Sequence, residues 1–517
     1  MQPLDKIVLE EGNSSPIAHT GTVNFVQIAF TVNLFSSMTD ETKQEFKPHL
    51  GLLDATMIVA GSMIGSGIFI VSSEITRSVG GAGYLVAMWV LAGVITIIAA
   101  VSYGELSAMY PKAGGMYVYL REAFGPLTGF LYGWTFFTII QTGTIAAVGV
   151  AFAKFTSYLL PAVGEENILL SVGEFQLKAS QLISIAVIVL LTYINSRGVK
   201  NGAFIQTFLT LIKIASLTGL IVFGFLWGAS SETWTLNWQN AWTASSLTTG
   251  NGNVVPAALS GLAFFGAIAI AMKGSLFSSD SWHNITFIAG EVKNPKRNIG
   301  LSLVLGTLLV TVIYVLTNIM YLAVIPLEGI AFAKSDRVGV VAAEYIFGPA
   351  GTIIIAVMIM ISTFGCNNGL ILAGARVYYT MAKDNLFFAR AGVLNKYEVP
   401  GYSLWLQCIW ASVLCLTGKY NDLLALVIFG VLIFYVFTII GIYVLRKTRP
   451  DIPRPYKAFG YPVLPAIYIV VASALAILLL IFETRYTLPG LAIILLGIPV
   501  YYFILKGKRD ESLAVNG

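Results

Sequence analysis

Two short stretches of this sequence hold residue types for which a plain hydrophobic span has no use. In Gly61-Ser-Met63-Ile-Gly65-Ser66-Gly67, three glycines fall within seven residues. Each costs a helix interior about 1 kcal/mol against alanine, so together they invite the helix to unwind. Unwound backbone in mid-membrane frees amide and carbonyl groups that lipid cannot satisfy, and something polar must then bind there. Gly61-x-x-x-Gly65 is also a small-residue contact motif, so close helix packing is the competing reading. The second stretch weighs against packing alone. Lys273-Gly-Ser-Leu-Phe277-Ser278-Ser279-Asp280-Ser281-Trp282-His283-Asn284 sets serines, an aspartate and a histidine between apolar flanks. Polar groups at that depth are expensive and mark function. Half-helix N-termini offer positive dipole ends to a carboxylate, and freed carbonyls suit an ammonium. A zwitterion satisfies both, which points to an amino acid.

Membrane-spanning helices must hold these stretches. The 517 residues are 56% hydrophobic and only 11% charged, with a mean hydropathy of +0.79. A soluble domain carries about 25% charged residues, so most of this chain is built to face lipid. A spanning helix needs about 20 mostly apolar residues. Twelve such runs are present, at 52–76, 82–109, 125–156, 180–194, 202–228, 254–290, 300–325, 349–382, 401–417, 421–446, 461–483 and 488–505. They lack period-two alternation, so the fold class is an all-α membrane protein of 12 transmembrane helices rather than a barrel. The two polar interruptions fall in the first and sixth runs. Those are corresponding positions in a 5+5 inverted repeat. Helices 1–5 (52–228) and 6–10 (254–446) then form the repeats, with helices 11–12 (461–505) appended, all within a transporter domain at 51–505.

Lys and Arg in the short loops set the orientation. With the N-terminus inside, eighteen fall on the cytoplasmic side, including Lys293, Lys296, Arg297 and Arg446, against seven outside, such as Arg77, Lys334 and Arg485. Both termini are therefore expected in the cytoplasm. The net charge of +5 follows from topology and gives no argument for nucleic acid. Residues 1–50 read as an N-terminal cytoplasmic segment that is poorly ordered, and 506–517 as a cytoplasmic tail. The segment lacks the basic start and small-residue cleavage site of a signal peptide, and Met38 offers an internal start. Cys366, Cys408 and Cys415 all lie in apolar runs. No metal-spaced His/Cys cluster and no nucleotide-binding glycine loop occurs, so ATP-driven transport and redox chemistry have no support in the sequence, no metal or cofactor is expected, and the protein is not expected to be an enzyme.

The residues also resemble a known family. Gly61-Ser-Met-Ile-Gly-Ser-Gly-Ile-Phe69, Tyr110-Pro-Lys-Ala-Gly-Gly-Met-Tyr117 with Phe124-Gly125, and Glu291-Val-Lys-Asn-Pro295 are similar to motifs of the amino acid–polyamine–organocation transporters, and within them of the L-type amino acid transporters. Trp282, Phe364-Gly365, Asn367-Asn368-Gly369, Arg449-Pro450, Arg454-Pro455 and Gly497-Ile-Pro-Val-Tyr501 add to the likeness, which runs from about 50 to 507. The resemblance implies that amides around Gly65, Ser66 and Gly67 take the substrate carboxylate. It implies that carbonyls at Met63, Phe277, Ser278 and Asp280 face the amino group, with Phe277 as an aromatic gate. His283 stands where relatives commonly have Asn or Asp. Eukaryotic members disulfide-bond a heavy chain through a cysteine after helix 3; residues 157–179 hold none, so a stand-alone bacterial protein in the cell (inner) membrane is implied.

Three charged residues need separate reading. Lys213 lies mid-run, too deep to snorkel easily. The resemblance implies that it fills a sodium site and bridges helices 1 and 8, giving a coupling role without sodium; a proton role stays open. Lys273 could pair with Asp280 across the unwound turn, line an outer vestibule, or select an anionic side chain. Glu105 reads as structural. The functional expectation is a secondary transporter of neutral L-amino acids, by sodium-independent exchange or proton coupling. The alternatives are a carrier of cationic amino acids or polyamines, which Asp280 favours, and a transporter-like receptor. A hydrolase built on His283 among the serines is the remaining candidate.

Overall fold

Apolar runs of this length, with backbone groups that can pair only internally, leave helices as the solution in lipid. The computed structural model describes residues 48–516 apart from 165, 174, 199, 251–252 and 418–419. The expectation for the N-terminal segment therefore falls, up to residue 47, outside the described residues. Span 1 is a pair of helices, Leu52–Met63 and Gly67–Val79, bent by 43° at the break. Span 2 is Ala82–Met109, span 3 Pro126–Leu159, span 4 Ala179–Ser196 and span 5 Lys200–Phe223. Span 6 runs Gly261–Ser278, breaks, and resumes as the short turn Asn284–Phe287. Spans 7 to 12 are Pro295–Val324, Pro349–Lys383, Gly401–Thr417, Tyr420–Thr448, Val463–Phe482 and Thr484–Asn516. Among the described residues ten of these helices are long and apolar enough to cross a bilayer, and the bent pair of span 1 makes up to eleven; Gly401–Thr417, at 17 residues, is a shorter apolar helix.

Several boundaries differ from the sequence reading, and the helix of span 12 runs Thr484–Asn516 where 488–505 was expected, continuing into the stretch read as a tail. Span 4 extends to 18 residues, because Ala179 and the polar Asn195 and Ser196 continue the helix. The run at 254–290 does not start as helix. Asn253–Ala258 is a strand paired antiparallel with Ser245–Gly250, and the helix begins only at Gly261. Val254 and Val255 are apolar but β-branched, and they favour the hairpin.

Span 2 lies along span 7, the first half of span 1 against spans 5 and 7, and its second half against span 6. Several charged residues inside the bundle form ion pairs. Glu105, fully buried on span 2, accepts from Arg446 of span 10 at 2.6 and 2.9 Å and from the Ala458 amide at 2.7 Å. It is a structural residue, as its position suggested. Glu291, just past span 6, meets Arg376 of span 8 at 3.1 Å, and both side chains are almost wholly buried. The Glu291 carbonyl also accepts the amides of His49 and Leu50 at 2.9 Å, which ties the entry to span 1 onto the exit of span 6.

Removing one partner of such a buried pair strands the other. Arg376→Ala is expected to cost about 3–5 kcal/mol, read as a lower melting temperature in detergent. The double change Arg376→Met with Glu291→Leu should recover much of that loss. Equal melting temperatures for Arg376→Ala and the unaltered protein would show that the pair contributes nothing.

Candidate amino acid site

The glycines of span 1 open the site by two routes at once. After Met63 the chain leaves the helix at Ile64 (φ −73°, ψ 92°) and restarts at Gly67 behind Ser66, which makes no side-chain cap bond. The Phe69 amide turns back to the Ser66 carbonyl at 3.0 Å, and the amides before it carry the positive end of the new helix. Gly67 also lies directly against span 6, where a Cβ would collide with the Ser278 hydroxyl. Gly61 touches Thr210 of span 5 in the same manner, and Gly65 faces Cys366 of span 8. Unwinding and close packing, the two readings of the glycine motif, hold together.

Ser278 ends the first half of span 6, so its carbonyl end stands beside the amide end at Gly67. The break continues through Ser281, a left-handed residue at φ 66°, to His283. Tyr314 of span 7 reaches into both breaks. Its hydroxyl is 2.9 Å from the Met63 carbonyl and 3.2 Å from that of Ser278. One hydroxyl proton serves one carbonyl at a time, so the other acceptor stays available to an ammonium. The Phe277 carbonyl accepts the Asp280 amide at 3.2 Å within the turn, which uses one of its two lone pairs, and Phe277 also brings its ring. That ring is 7% exposed and meets Tyr420 edge-on at 6.1 Å, while the Tyr420 hydroxyl lies 3.1 Å from Ser66 Oγ.

Asp280 enters through its side chain. Its Oδ1 accepts from Tyr435 of span 10 at 2.5 Å, and the same hydroxyl lies 2.6 Å from His283 Nδ1. Trp282 is buried among Tyr103, Tyr435 and His283. A cavity of about 20 Å³ adjoins Asp280, bounded by Thr96, Ser279, Tyr435 and Tyr468.

Lys213 does not snorkel. It is 2% exposed, and its ammonium donates to the carbonyls of Gly61 at 2.8 Å and Ile64 at 3.0 Å. Both belong to the end of the first half of span 1, where unwinding frees acceptors. Span 8 joins at the same point through Ser362, whose hydroxyl is 3.3 Å from the carbonyls of Ile64 and Gly65. Pairing of Lys273 with Asp280, one of three roles open in the sequence, does not occur. Lys273 instead meets Glu74 of span 1 at 3.0 Å and Glu483, at the end of span 11, at 2.9 Å. Lys273 lies seven residues before Asp280, about two helical turns, and those two carboxylates lie at its own level.

Tyr314, Tyr420 and Tyr435 were absent from the sequence reading. Their one signal was a hydroxyl inside an apolar run, which aromatic packing explains equally well.

A family model described as amino acid permease matches residues 50–504. The chain belongs to this family. It is 30% identical over 467 residues to the serine/threonine exchanger SteT of Bacillus subtilis (strain 168), covering 90% of this chain and 98% of that protein. It is 27% identical to the b(0,+)-type amino acid transporter 1 of Mus musculus over 90% of this chain and 89% of the relative. With the Asc-type amino acid transporter 1 of Mus musculus the identity is 30%, over 88% and 81%. The protein is thus a multi-pass membrane transporter of amino acids and not an enzyme.

The contact at Gly67 gives a direct test. Gly67→Val places a branched side chain where even a Cβ collides with Ser278. Amino acid binding to the solubilised variant should fall below detection while Gly219→Val, with open space around its Cβ, retains it. Wild-type affinity in Gly67→Val would remove the break of span 1 from the site.

Proposed function

We propose that the protein is a sodium-independent carrier of neutral L-amino acids, working by alternating access as an exchanger or together with a proton. The observation that carries the reading is the contact of Gly67 with Ser278. It sets the amide end of one half-helix beside the carbonyl end of another. The α-carboxylate falls to the amides around Gly65, Ser66 and Gly67, and the ammonium to the carbonyl of Met63 or Ser278 that Tyr314 leaves open. Phe277 on Tyr420 closes over the pair as the gate.

Sodium independence draws support from Lys213, whose fixed charge already occupies the Gly61 and Ile64 carbonyls. The neutral class draws support from the likeness to SteT, a serine/threonine exchanger. We place the protein in the cell (inner) membrane with both termini cytoplasmic, from the charge bias of its loops. It works without a disulfide-linked heavy chain, since Cys366, Cys408 and Cys415 are all buried. A cationic substrate is the second reading. Its support is Asp280, a buried carboxylate that pairs with no lysine or arginine among the described residues.

Uptake of a panel of labelled amino acids into proteoliposomes separates these readings. Serine, threonine or alanine should accumulate, and lysine and arginine should not. Replacing sodium with choline should leave the rate unchanged, and a strict sodium requirement would contradict the role given to Lys213. Amino acid amides should compete poorly with the parent acids, because they lack the group that the helix end at Gly67 receives. An amide that competes as well as its acid would put the carboxylate elsewhere.

A further inference from the structure

Asp280, Tyr435 and His283 form a chain of three groups, linked at 2.5 and 2.6 Å and all buried at the break of span 6. A carboxylate inside the membrane is costly without a cation, and its partners here are the Tyr435 hydroxyl and the Ser281 backbone amide. The groups brought up by the surrounding spans are also uncharged: Tyr103 of span 2, Tyr132 of span 3, Tyr314 of span 7 and Tyr468 of span 11. The turn Asn284–Phe287 has Tyr119 beside it, and it packs on span 8, whose Arg376 is held by Glu291. Among the described residues no lysine or arginine pairs with Asp280. The cavity of about 20 Å³ beside Asp280 and Tyr435 has room for one water-sized molecule.

The same three heavy-atom positions accept two proton counts. In one, Tyr435 donates to the Asp280 carboxylate and His283 donates from Nδ1 to the Tyr435 oxygen. In the other, a protonated Asp280 donates to Tyr435, Tyr435 donates to a bare Nδ1, and the imidazole proton sits on Nε2. The second state holds one proton more. A proton arriving at Nε2 sends the Nδ1 proton to the Tyr435 oxygen, and the Tyr435 proton passes to Asp280. Both hydrogen bonds reverse, no covalent bond between heavy atoms changes, and the carboxylate charge is neutralised.

We propose that this chain is a proton site, loaded through His283 and stored on Asp280, that carries one proton with each amino acid moved. The proposal rests on the reading of the protein as an amino acid carrier and assigns its coupling to span 6 and span 10. Asp280 is then a proton carrier first, and a partner for a cationic side chain only if the relay is absent.

Proteoliposomes holding a pH-sensitive dye, given labelled alanine or serine, test it. The unaltered protein should acidify the lumen as the amino acid enters, with a rate that falls between about pH 5.5 and about pH 8. Tyr435→Phe removes one oxygen and cuts the chain. Its remaining uptake should move no proton and show a flat pH profile, and Asp280→Asn should do the same. Uptake by the unaltered protein without proton movement would overturn the relay and leave the carrier reading standing. So would a Tyr435→Phe or Asp280→Asn variant that keeps the pH profile and the acidification. Should Asp280→Asn fail to fold, Tyr435→Phe alone decides. Absence of any amino acid uptake by the unaltered protein would sink the carrier reading, and the relay with it. Accumulation of lysine in exchange for a proton would instead assign Asp280 to the substrate.

Discussion

Every freed backbone group at the centre of a bilayer has to find a partner inside the protein, because hydrocarbon offers none and each failure costs several kcal/mol. The middle of this molecule is organised by that demand. Breaking span 1 after Met63 releases carbonyls at Gly61, Ile64 and Met63, and three neighbouring spans each send a side chain to meet them. Span 5 sends the Lys213 ammonium, span 7 the Tyr314 hydroxyl and span 8 the Ser362 hydroxyl. The same Tyr314 serves the break in span 6 at Ser278. The polar groups that stabilise the breaks are therefore the ones that fix where the two half-helices point.

The ion pairs show how that centre is enclosed. On one side of the break, Arg77 of span 1 is held by Asp336 at 2.8 Å and donates to the Ala331 carbonyl at 2.6 Å. On the other, Glu291 and Arg376 bind the exit of span 6 to span 8, and the Glu291 carbonyl gathers the amides leading into span 1. Both halves of span 1 are thus restrained far from the break, and the break itself is buried. Access for a substrate from either face has to disturb one of these sets. The Arg77 pair is partly exposed, the setting in which ion pairs contribute least, whereas the Glu291 pair is buried and costly to separate.

Much of this was legible in the sequence, and what was missed has a common physical cause. Long apolar runs give spans almost directly, and glycine or serine within them gives the breaks, since both signals are local. Gly61, Gly65 and Gly67 were readable because glycine in a helix is itself an anomaly. The partner of Lys273 was not readable. Glu74 and Glu483 lie about two hundred residues before and after it, and no local rule joins them. Tyr314 and Tyr435 were hidden by the ambiguity of tyrosine, whose ring fits an apolar run and whose hydroxyl shows its purpose only when something polar stands opposite. The hairpin of Ser245–Gly250 and Asn253–Ala258 was lost to Val254 and Val255, which extend the apolar run of span 6 while favouring a strand.

The bond between Lys273 and Glu483 redraws the boundary of the working unit. The repeat ends with span 10, so the last hairpin reads as an accessory that a family is free to exchange or discard. Here that hairpin supplies one of the two carboxylates neutralising a lysine that is 3% exposed in the first half of span 6. Shortening the chain after span 10 would leave Lys273 with Glu74 alone and open its other flank to lipid. In this protein the last two helices and span 6 share one charge cluster, and a ten-helix body without Glu483 would carry an under-compensated lysine in the first half of span 6.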